Sequence, residues 1–417
     1  MVNIRAVHIV PPAEPTPNEI MYLNACDQIK DITHTPTIYF YEHSAALEAV
    51  DTVSRLKDSL SKALVLFYPL AGRLNWAEEG GSRVELHCNG KGVLIFEAES
   101  DAKVEDFGDF TPNAEIQALI PSIDYTTPID EIPMVIVQLT RFKCGGVSIG
   151  MGISHVMADG PSALHFINEW TKFARGEAAG PNVPPYLDRK ILDTEKPMDF
   201  KFDPAVLRPP PTLIGQEDSM EQRKKPITVA FLNLSRLQIE KLRNRANMDF
   251  DAEKSASSRG YSRFEAVAAH IWRCTSKARE SKPPIIPATC YQTPSAWLPG
   301  KYGRRSGKVT DETVRAYLDF LKGLPDVGRF RSLDNNGRPK GDFYGNPNLA
   351  IISWTALPLY GADFGWGKEI HLGPGMMGFD GKTFIIPGQN GDGSFNVAIW
   401  LQEEHMPAFK KCFYDYI

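Results

Sequence analysis

From residue 188 to residue 225 the chain shows neither a helical nor a strand-like apolar repeat, and it is crowded with proline, including Pro209-Pro210-Pro211. Proline fixes φ and offers no amide hydrogen, so such a stretch runs extended and stays out of a core. A 417-residue chain broken in this way is constrained to two bodies. The expected division is a domain over 1–187, an extended linker over 188–225 and a domain over 226–417.

Within the first domain, Leu47, Val50, Val53, Leu56, Leu60, Leu64 and Phe67 recur three or four apart, predicting one helix over 46–67. β-rich runs follow at 83–88, 93–97 and 133–142, the last turning through Cys144-Gly145-Gly146 into a further strand. In that strand, 147–153, every second residue is apolar while Ser148, Gly150 and Gly152 keep the other face small. A close approach to this backbone is expected there. A helix is predicted to start at Gly160-Pro161, where proline suits a first turn. Beyond the linker, Ser235-Arg-Leu-Gln238 and Ser262-Arg-Phe-Glu265 match the capping box and predict two helix starts, the second helix running to about Lys277. Strands alternating with helices in both halves imply layered α/β architecture with a cleft between two lobes.

Charge narrows the class of partner. With 46 Lys+Arg against 51 Asp+Glu the net charge is −5, which offers no broad attraction to nucleic acid or to an anionic membrane. The residues from Met1 to His8 are too short and too interrupted for a secretory core, and no run of about 18 apolar residues occurs. A cytoplasmic location is therefore expected. Six scattered cysteines, without a C-x-x-C pair, suggest reduced thiols, mostly in the core.

The sharpest chemistry lies in His155-Val-Met-Ala-Asp159-Gly160, which places an imidazole and a carboxylate between a strand end and a helix start. An imidazole titrating near neutrality takes a proton from a hydroxyl or amine as that atom attacks a carbonyl, then returns it to the leaving group. No covalent intermediate is needed. Asp159 either partners His155 or anchors the loop by pairing with an arginine elsewhere. A structural histidine is the plain alternative for such a pattern alone, and metal binding by His155 and Asp159 lacks the further histidines it would need. A second constellation, Asp363-Phe-Gly-Trp-Gly367, combines two permissive glycines, Gly365 and Gly367, with a large packing surface at Trp366. Alone it reads as a rigid turn whose Asp363 fixes its own loop, a catalytic Asp363 being the alternative.

Together, in this order and about 200 residues apart, these two motifs resemble the signature of the BAHD acyl-CoA-dependent acyltransferases. His34-Thr-Pro-Thr-Ile-Tyr-Phe-Tyr41, Tyr68-Pro-Leu-Ala-Gly-Arg-Leu74 and Phe343-Tyr-Gly-Asn-Pro-Asn348 extend the resemblance over nearly the whole chain. The resemblance implies a two-domain, chloramphenicol-acetyltransferase-like α/β fold with mixed sheets and an active-site channel at the domain interface. It implies His155 as general base, acyl-CoA as co-substrate, no bound cofactor or metal, and a monomer. Asp159, Gly160, Asp363, Gly365 and Gly367 would be structural. Thr37, Tyr39 and Ser262 would line the donor and reaction site, and the indole N–H of Trp354 would donate to the oxyanion.

Within the family, the stretch from Leu213 to Lys225, and Pro128-Ile-Asp-Glu-Ile-Pro133 leading to Phe142-Lys-Cys-Gly-Gly146, resemble the spermidine hydroxycinnamoyltransferases. The resemblance thus implies transfer of a hydroxycinnamoyl group to a polyamine, giving phenolamides, with Asp130, Glu131 and Asp380 as candidates to orient the cationic acceptor. The rival is the shikimate or quinate O-hydroxycinnamoyltransferase, which carries an arginine where Ala356 stands and a threonine where Ile352 stands. A guanidinium there would bind an acceptor carboxylate bidentately, and alanine does not. A catalytically silent thioester-binding protein is the alternative from another class, and the presence of His155 argues against it.

One stretch departs from the family. Between Pro283-Pro284 and Lys308 neither the D-x-R motif nor the Tyr-Phe-Gly-Asn strand is recognisable, so the arginine expected to pair with Asp159 is missing. The reading adopted is that residues are left out while the numbering runs on. A chain truly shortened here would hold the His155 loop less rigidly. Lys301, Arg304, Arg305 and Lys308 form a basic run in this stretch, solvent-facing by default and otherwise suited to CoA phosphates.

Overall fold

A computed structural model of the protein describes residues 1–49, 51–78, 81–177, 184–193, 221, 224–248, 260–279, 311–331, 345–346, 349–375 and 378–417. The strands of the first half are β1 (Val2–Val10), β2 (Ile20–Met21), β3 (His34–Tyr41), β4 (Arg73–Trp76), β5 (Val84–His87), β6 (Val93–Ser100), β7 (Val135–Phe142) and β8 (Val147–Ser154). Those of the second are β9 (Ile227–Leu234), β10 (Ala350–Ser353), β11 (His371–Pro374), β12 (Lys382–Pro387) and β13 (Phe395–Gln402). The helices are α1 (Ala25–Gln28), α2 (Ala45–Glu48), α3 (Thr52–Leu66), α4 (Ala114–Gln117), α5 (Gly160–Ala174), α6 (Arg236–Asn247), α7 (Arg263–Ala278), α8 (Asp311–Lys322) and α9 (Met406–Asp415).

Two compact units result, and they are not contiguous halves. The first comprises Met1–Phe202, Asp311–Lys340 and Leu357–Met376, and the second Asp203–Thr310, Gly341–Ala356 and Met377–Ile417. The sequence reading draws one crossing at 188–225, whereas the chain re-enters the first unit twice. Two contacts account for this. The guanidinium of Arg83 donates to the carbonyls of Leu321, Lys322 and Leu324 at the end of α8. Strand β11 pairs antiparallel with β3, Leu372 opposite Tyr39. Pairing between residues more than 300 positions apart leaves no periodic trace in either segment, so a reading of local pattern misses it.

The first unit is built on a six-stranded sheet in the order β1-β6-β7-β8-β3-β11, in which β6 and β7 run parallel and the other neighbours antiparallel. A small sheet, β2-β5-β4, lies in the same unit. The second unit carries a four-stranded sheet, β10-β12-β13-β9, parallel only between β10 and β12. Both larger sheets are thus mixed, as the α/β expectation requires.

Local chemistry explains where the elements begin. The single helix expected over 46–67 is two helices, because the Asp51 carboxylate accepts from the amides of Val53 and Ser54 and caps a fresh start for α3. Both capping boxes form, Ser235 with Gln238 at α6 and Ser262 with Glu265 at α7. The Cys144-Gly145-Gly146 turn joins β7 to β8, Gly145 taking φ +85°. The close approach expected at Gly150 comes from the chain itself. A Cβ there would lie 2.1 Å from the Leu119 carbonyl oxygen.

Alternation along β3 divides its side chains between two environments. Ile38 and Phe40 pack with Val104, Phe107, Ile116, Leu119, Ile120 and Phe142. A buried phenylalanine such as Phe40 contributes about 2–3 kcal/mol. Thr37, Tyr39 and Tyr41 take the opposite face. In the second unit Leu232, Val397 and Ile399 of the sheet pack with Ile239, Val267 and Ile271 of α6 and α7.

Candidate active site

His155 follows directly on β8. Its main-chain N–H continues the sheet pairing by donating to the Thr33 carbonyl at 3.1 Å, and Ser154 before it donates to Met134 at 2.8 Å. In the β3–β8 register Thr37 faces Met151 and Tyr39 faces Ile149. Continuing that alternation one pair beyond the strand end brings His155 onto the face of Thr37 and Tyr39. The structure therefore gathers three of the expected site residues on one face of one sheet. Tyr39 is only 1% exposed and its phenol is held well above its usual range by burial and by Glu369, whereas Thr37 is partly exposed.

The imidazole of His155 is partly exposed, and its Nδ1 is buried without a hydrogen bond. Burial lowers its pKa below the usual histidine value, helped by Lys30, and opposed by the residue's own main chain, Asp31 and Asp159. The ring is therefore neutral around pH 7, the state in which a nitrogen accepts a proton. With Nδ1 enclosed, Nε2 is the nitrogen left to meet a substrate.

Asp159 is exposed and makes no bond to His155. Its carboxylate accepts from the Ser162 amide at 3.0 Å and caps α5, whose first turn holds Pro161. Gly160 allows close approach, since a Cβ there would lie 2.9 Å from Leu357 Cδ1. An arginine does hold the loop, but by another route. Arg189 donates to the Met157 carbonyl and pairs with Asp27, each at 2.7 Å. The sequence reading passed over it because it lies in the aperiodic stretch taken as linker.

The Asp363 carboxylate bonds within its own turn. One carboxylate oxygen accepts from the amides of Gly365 and Gly367, at 2.7 and 3.0 Å. The loop is fastened inside the first unit. Arg175 at the end of α5 donates to the Asp363 carbonyl, Arg55 of α3 reaches the Gly365 carbonyl, and Ser44 donates to that of Trp366. Trp366 meets Tyr41 edge-on at 6.0 Å between ring centres. The sequence division at 226 puts this loop in the C-terminal domain, whereas residues 357–376 belong to the first unit.

Ser262, Trp354 and Asp380 lie in the second unit. The Ser262 hydroxyl accepts from the Glu265 amide as a helix cap. Trp354 donates its main-chain N–H to Ile385 and packs its ring against Phe384 at 5.0 Å. Asp380 is not the acceptor-facing carboxylate anticipated. It is 7% exposed, ion-paired at 2.8 Å with the buried Arg279, and its oxygens accept the amides of Asn346 and Gln402. Glu131 is exposed and paired with Lys91, whose ammonium also reaches the Asp130 carbonyl. The carboxylates of Asp380 and Glu131 are already engaged, whereas at Asp130 the contact is to the main-chain carbonyl.

Among the described residues no group of three or more His, Cys, Asp or Glu side chains is arranged to hold a metal, and no helix is long and apolar enough to cross a membrane. Cys88 and Cys274 are buried free thiols, while Cys26, Cys144 and Cys412 keep partial exposure. The segment 283–308 with its basic run, most of 213–225, Cys290, and Phe343, Tyr344, Pro347 and Asn348 lie outside the described residues.

Comparison with known proteins places these features. The model of the Transferase family matches residues 1–293 and 292–416. The hydroxycinnamoyl-CoA:piscidic acid hydroxycinnamoyltransferase of Actaea racemosa is 42% identical over 456 aligned positions, covering 100% of both chains. The shikimate O-hydroxycinnamoyltransferase of Nicotiana tabacum is 37% identical, again over 100% of both. Among solved structures, vinorine synthase superposes with a TM-score of 0.64 at 21% identity, covering 98% of this chain and 96% of its own. F. graminearum TRI101 in complex with coenzyme A and deoxynivalenol gives 0.67 at 15%, covering 94% and 97%. The sequence is continuous through 283–308, and 456 aligned positions against 417 residues leave gaps in this chain. The family match breaks at 292–293. By family match and by identity over its full length, the chain belongs to the Transferase family, the BAHD acyltransferases that take acyl-CoA as co-substrate.

Proposed function

We propose that this enzyme transfers a hydroxycinnamoyl group from its CoA thioester to a small hydroxyl- or amine-bearing acceptor, with His155 as general base. The observation carrying this reading is the neutral imidazole at the end of β8, on the face of Thr37 and Tyr39, with Nε2 as its available nitrogen. Nε2 takes the proton of the acceptor as its oxygen or nitrogen forms a bond to the thioester carbonyl carbon. The carbon–sulfur bond then breaks, and the same proton passes to the departing thiolate, releasing CoA. Trp354 as donor to the oxyanion, and Thr37, Tyr39 and Ser262 as lining residues, rest on the family resemblance.

For the acceptor, a carboxylate-bearing alcohol or amine is the leading reading. The similar proteins named above and the Avena sativa hydroxycinnamoyl-CoA:5-hydroxyanthranilate N-hydroxycinnamoyltransferase, 34% identical, act on piscidic acid, shikimate and 5-hydroxyanthranilate. The engagement of Asp380 with Arg279 and of Glu131 with Lys91 weakens the case for a polyamine. Spermidine stands second, favoured by Ala356, which offers no guanidinium to a carboxylate.

The test is incubation of the purified protein with p-coumaroyl- or caffeoyl-CoA and, separately, piscidic acid, shikimate, 5-hydroxyanthranilate or spermidine, following CoA release and product mass. An ester or amide of one of the three acids is the expected product. Spermidine amides alone would reverse the acceptor assignment, and no CoA release with any of the four would contradict the proposed function.

A further inference from the structure

We propose that Tyr125 and His34 form a positioning pair for His155, locking together the two backbone segments to which the catalytic imidazole is tied. The inference rests on the general-base reading of His155 and extends it to two residues that carry no other role in the account.

Two segments fix the main chain around His155. Segment 133–134 receives the Ser154 N–H on Met134, and segment 33–34 receives the His155 N–H on Thr33. The side chain of His34, which faces Ser154 in the strand register, bridges the same two segments. Its Nε2 lies 2.7 Å from the Pro133 carbonyl oxygen and its Nδ1 3.1 Å from the Tyr125 hydroxyl. That hydroxyl is also 2.9 Å from the main-chain nitrogen of His34.

For a neutral ring, hydrogen-bond accounting admits one arrangement. A carbonyl oxygen only accepts, so Nε2 carries the proton and Nδ1 is the acceptor. The Tyr125 hydroxyl then donates to Nδ1 and accepts from the His34 amide. Every ring nitrogen is satisfied with the imidazole neutral. Although the residue keeps some exposure, burial of its ring lowers the pKa to about 4, which maintains that state at neutral pH. Two local features supply the geometry. Gly152 leaves room for the pair, since a Cβ there would lie 3.1 Å from both His34 Cβ and Ile136 Cγ1. Tyr125 is presented from a turn in which the Asp124 carboxylate accepts from the amide and hydroxyl of Thr126.

Tyr125→Phe removes one oxygen atom and unpairs two partly buried groups of His34, its main-chain N–H and its Nδ1. The full-length chain is assayed with p-coumaroyl-CoA and whichever acceptor the unaltered enzyme consumes fastest. Tyr125→Phe is expected to lower kcat about tenfold while the thioester KM stays within about twofold. His34→Gln, whose amide N–H still reaches toward Pro133, should retain more turnover than His34→Leu. That pair of variants decides the matter if Tyr125→Phe does not fold. Unchanged kcat in Tyr125→Phe, or equal losses in both His34 variants, would overturn the pair. His155→Ala runs in parallel. If it is inactive while Tyr125→Phe is normal, only the positioning pair fails. If His155→Ala itself turns over normally, the general-base reading fails first.

Discussion

Arg189 donates to the carbonyl oxygen of Met157, two residues past His155, while pairing with Asp27 at the start of the chain's first helix. One guanidinium thus ties the loop after His155 to α1. No D-x-R motif is recognisable between 283 and 308, and among the described residues Arg189 grips this loop. Arg189→Ala should lower stability by about 2 kcal/mol, since a charged donor is lost from two acceptors. Chemical denaturation measures the stability, and turnover of the folded fraction should fall as well. Unchanged values of both would remove Arg189 from the account.

The pH dependence of kcat/KM follows from the surroundings of His155. Activity requires the neutral imidazole, so it falls as pH drops through the His155 pKa, which burial and Lys30 place below 6.5. Removing the positive charge in Lys30→Met makes the imidazolium easier to form, and the acidic limb should move to higher pH. Asp159→Asn removes an attraction for the imidazolium while retaining a helix cap, so the limb should move lower. Limbs that stay in place in both variants would show that the titrating group is not His155.

The Asp363 loop is predicted to matter for stability and little for chemistry. Gly365 has φ +96°, and a Cβ there would lie 2.4 Å from Arg55 Nη1. Gly365→Ala should therefore destabilise by about 1–3 kcal/mol. Asp363→Asn, which keeps an acceptor oxygen for the two glycine amides, should be milder than Asp363→Ala. Thermal unfolding and kcat measured on the same samples check this. A large loss of kcat without loss of stability would give Asp363 a chemical role.

Asp380 supplies a contrasting case. Arg279 beside it is 1% exposed, and Asp380→Ala would leave that charge buried without its carboxylate. Breaking such a pair costs about 3–5 kcal/mol. Denaturant unfolding should show a loss of this order with the relative rates on shikimate and spermidine unchanged. A stable variant with altered acceptor preference would restore Asp380 to the acceptor site.

What the sequence discloses follows from the range of each interaction. The capping boxes at Ser235 and Ser262 and the Gly145 turn are local, and each is legible in a few residues. His155 and Asp363 stand out through the resemblance of their motifs. The return of 357–376 to the first unit is invisible in sequence, because it depends on β11 meeting β3. The break at Asp51 was masked by an apolar stripe continuing across it in the same phase. Asp380 illustrates the reverse difficulty, since an acidic residue next to Gly381 reads as a candidate for a cationic acceptor until Arg279 is seen beside it. Tyr125, Arg189 and His34 act through backbone groups distant in the chain, and no spacing announces them.

The central claim is that the imidazole of His155 moves the proton. The most direct measurement is single-turnover transfer by His155→Ala, with acyl-CoA binding determined by calorimetry on the same preparation. Turnover is expected to fall about 100-fold or more while the thioester Kd changes little. Turnover at the unaltered rate, in a variant that binds acyl-CoA normally, would contradict the account.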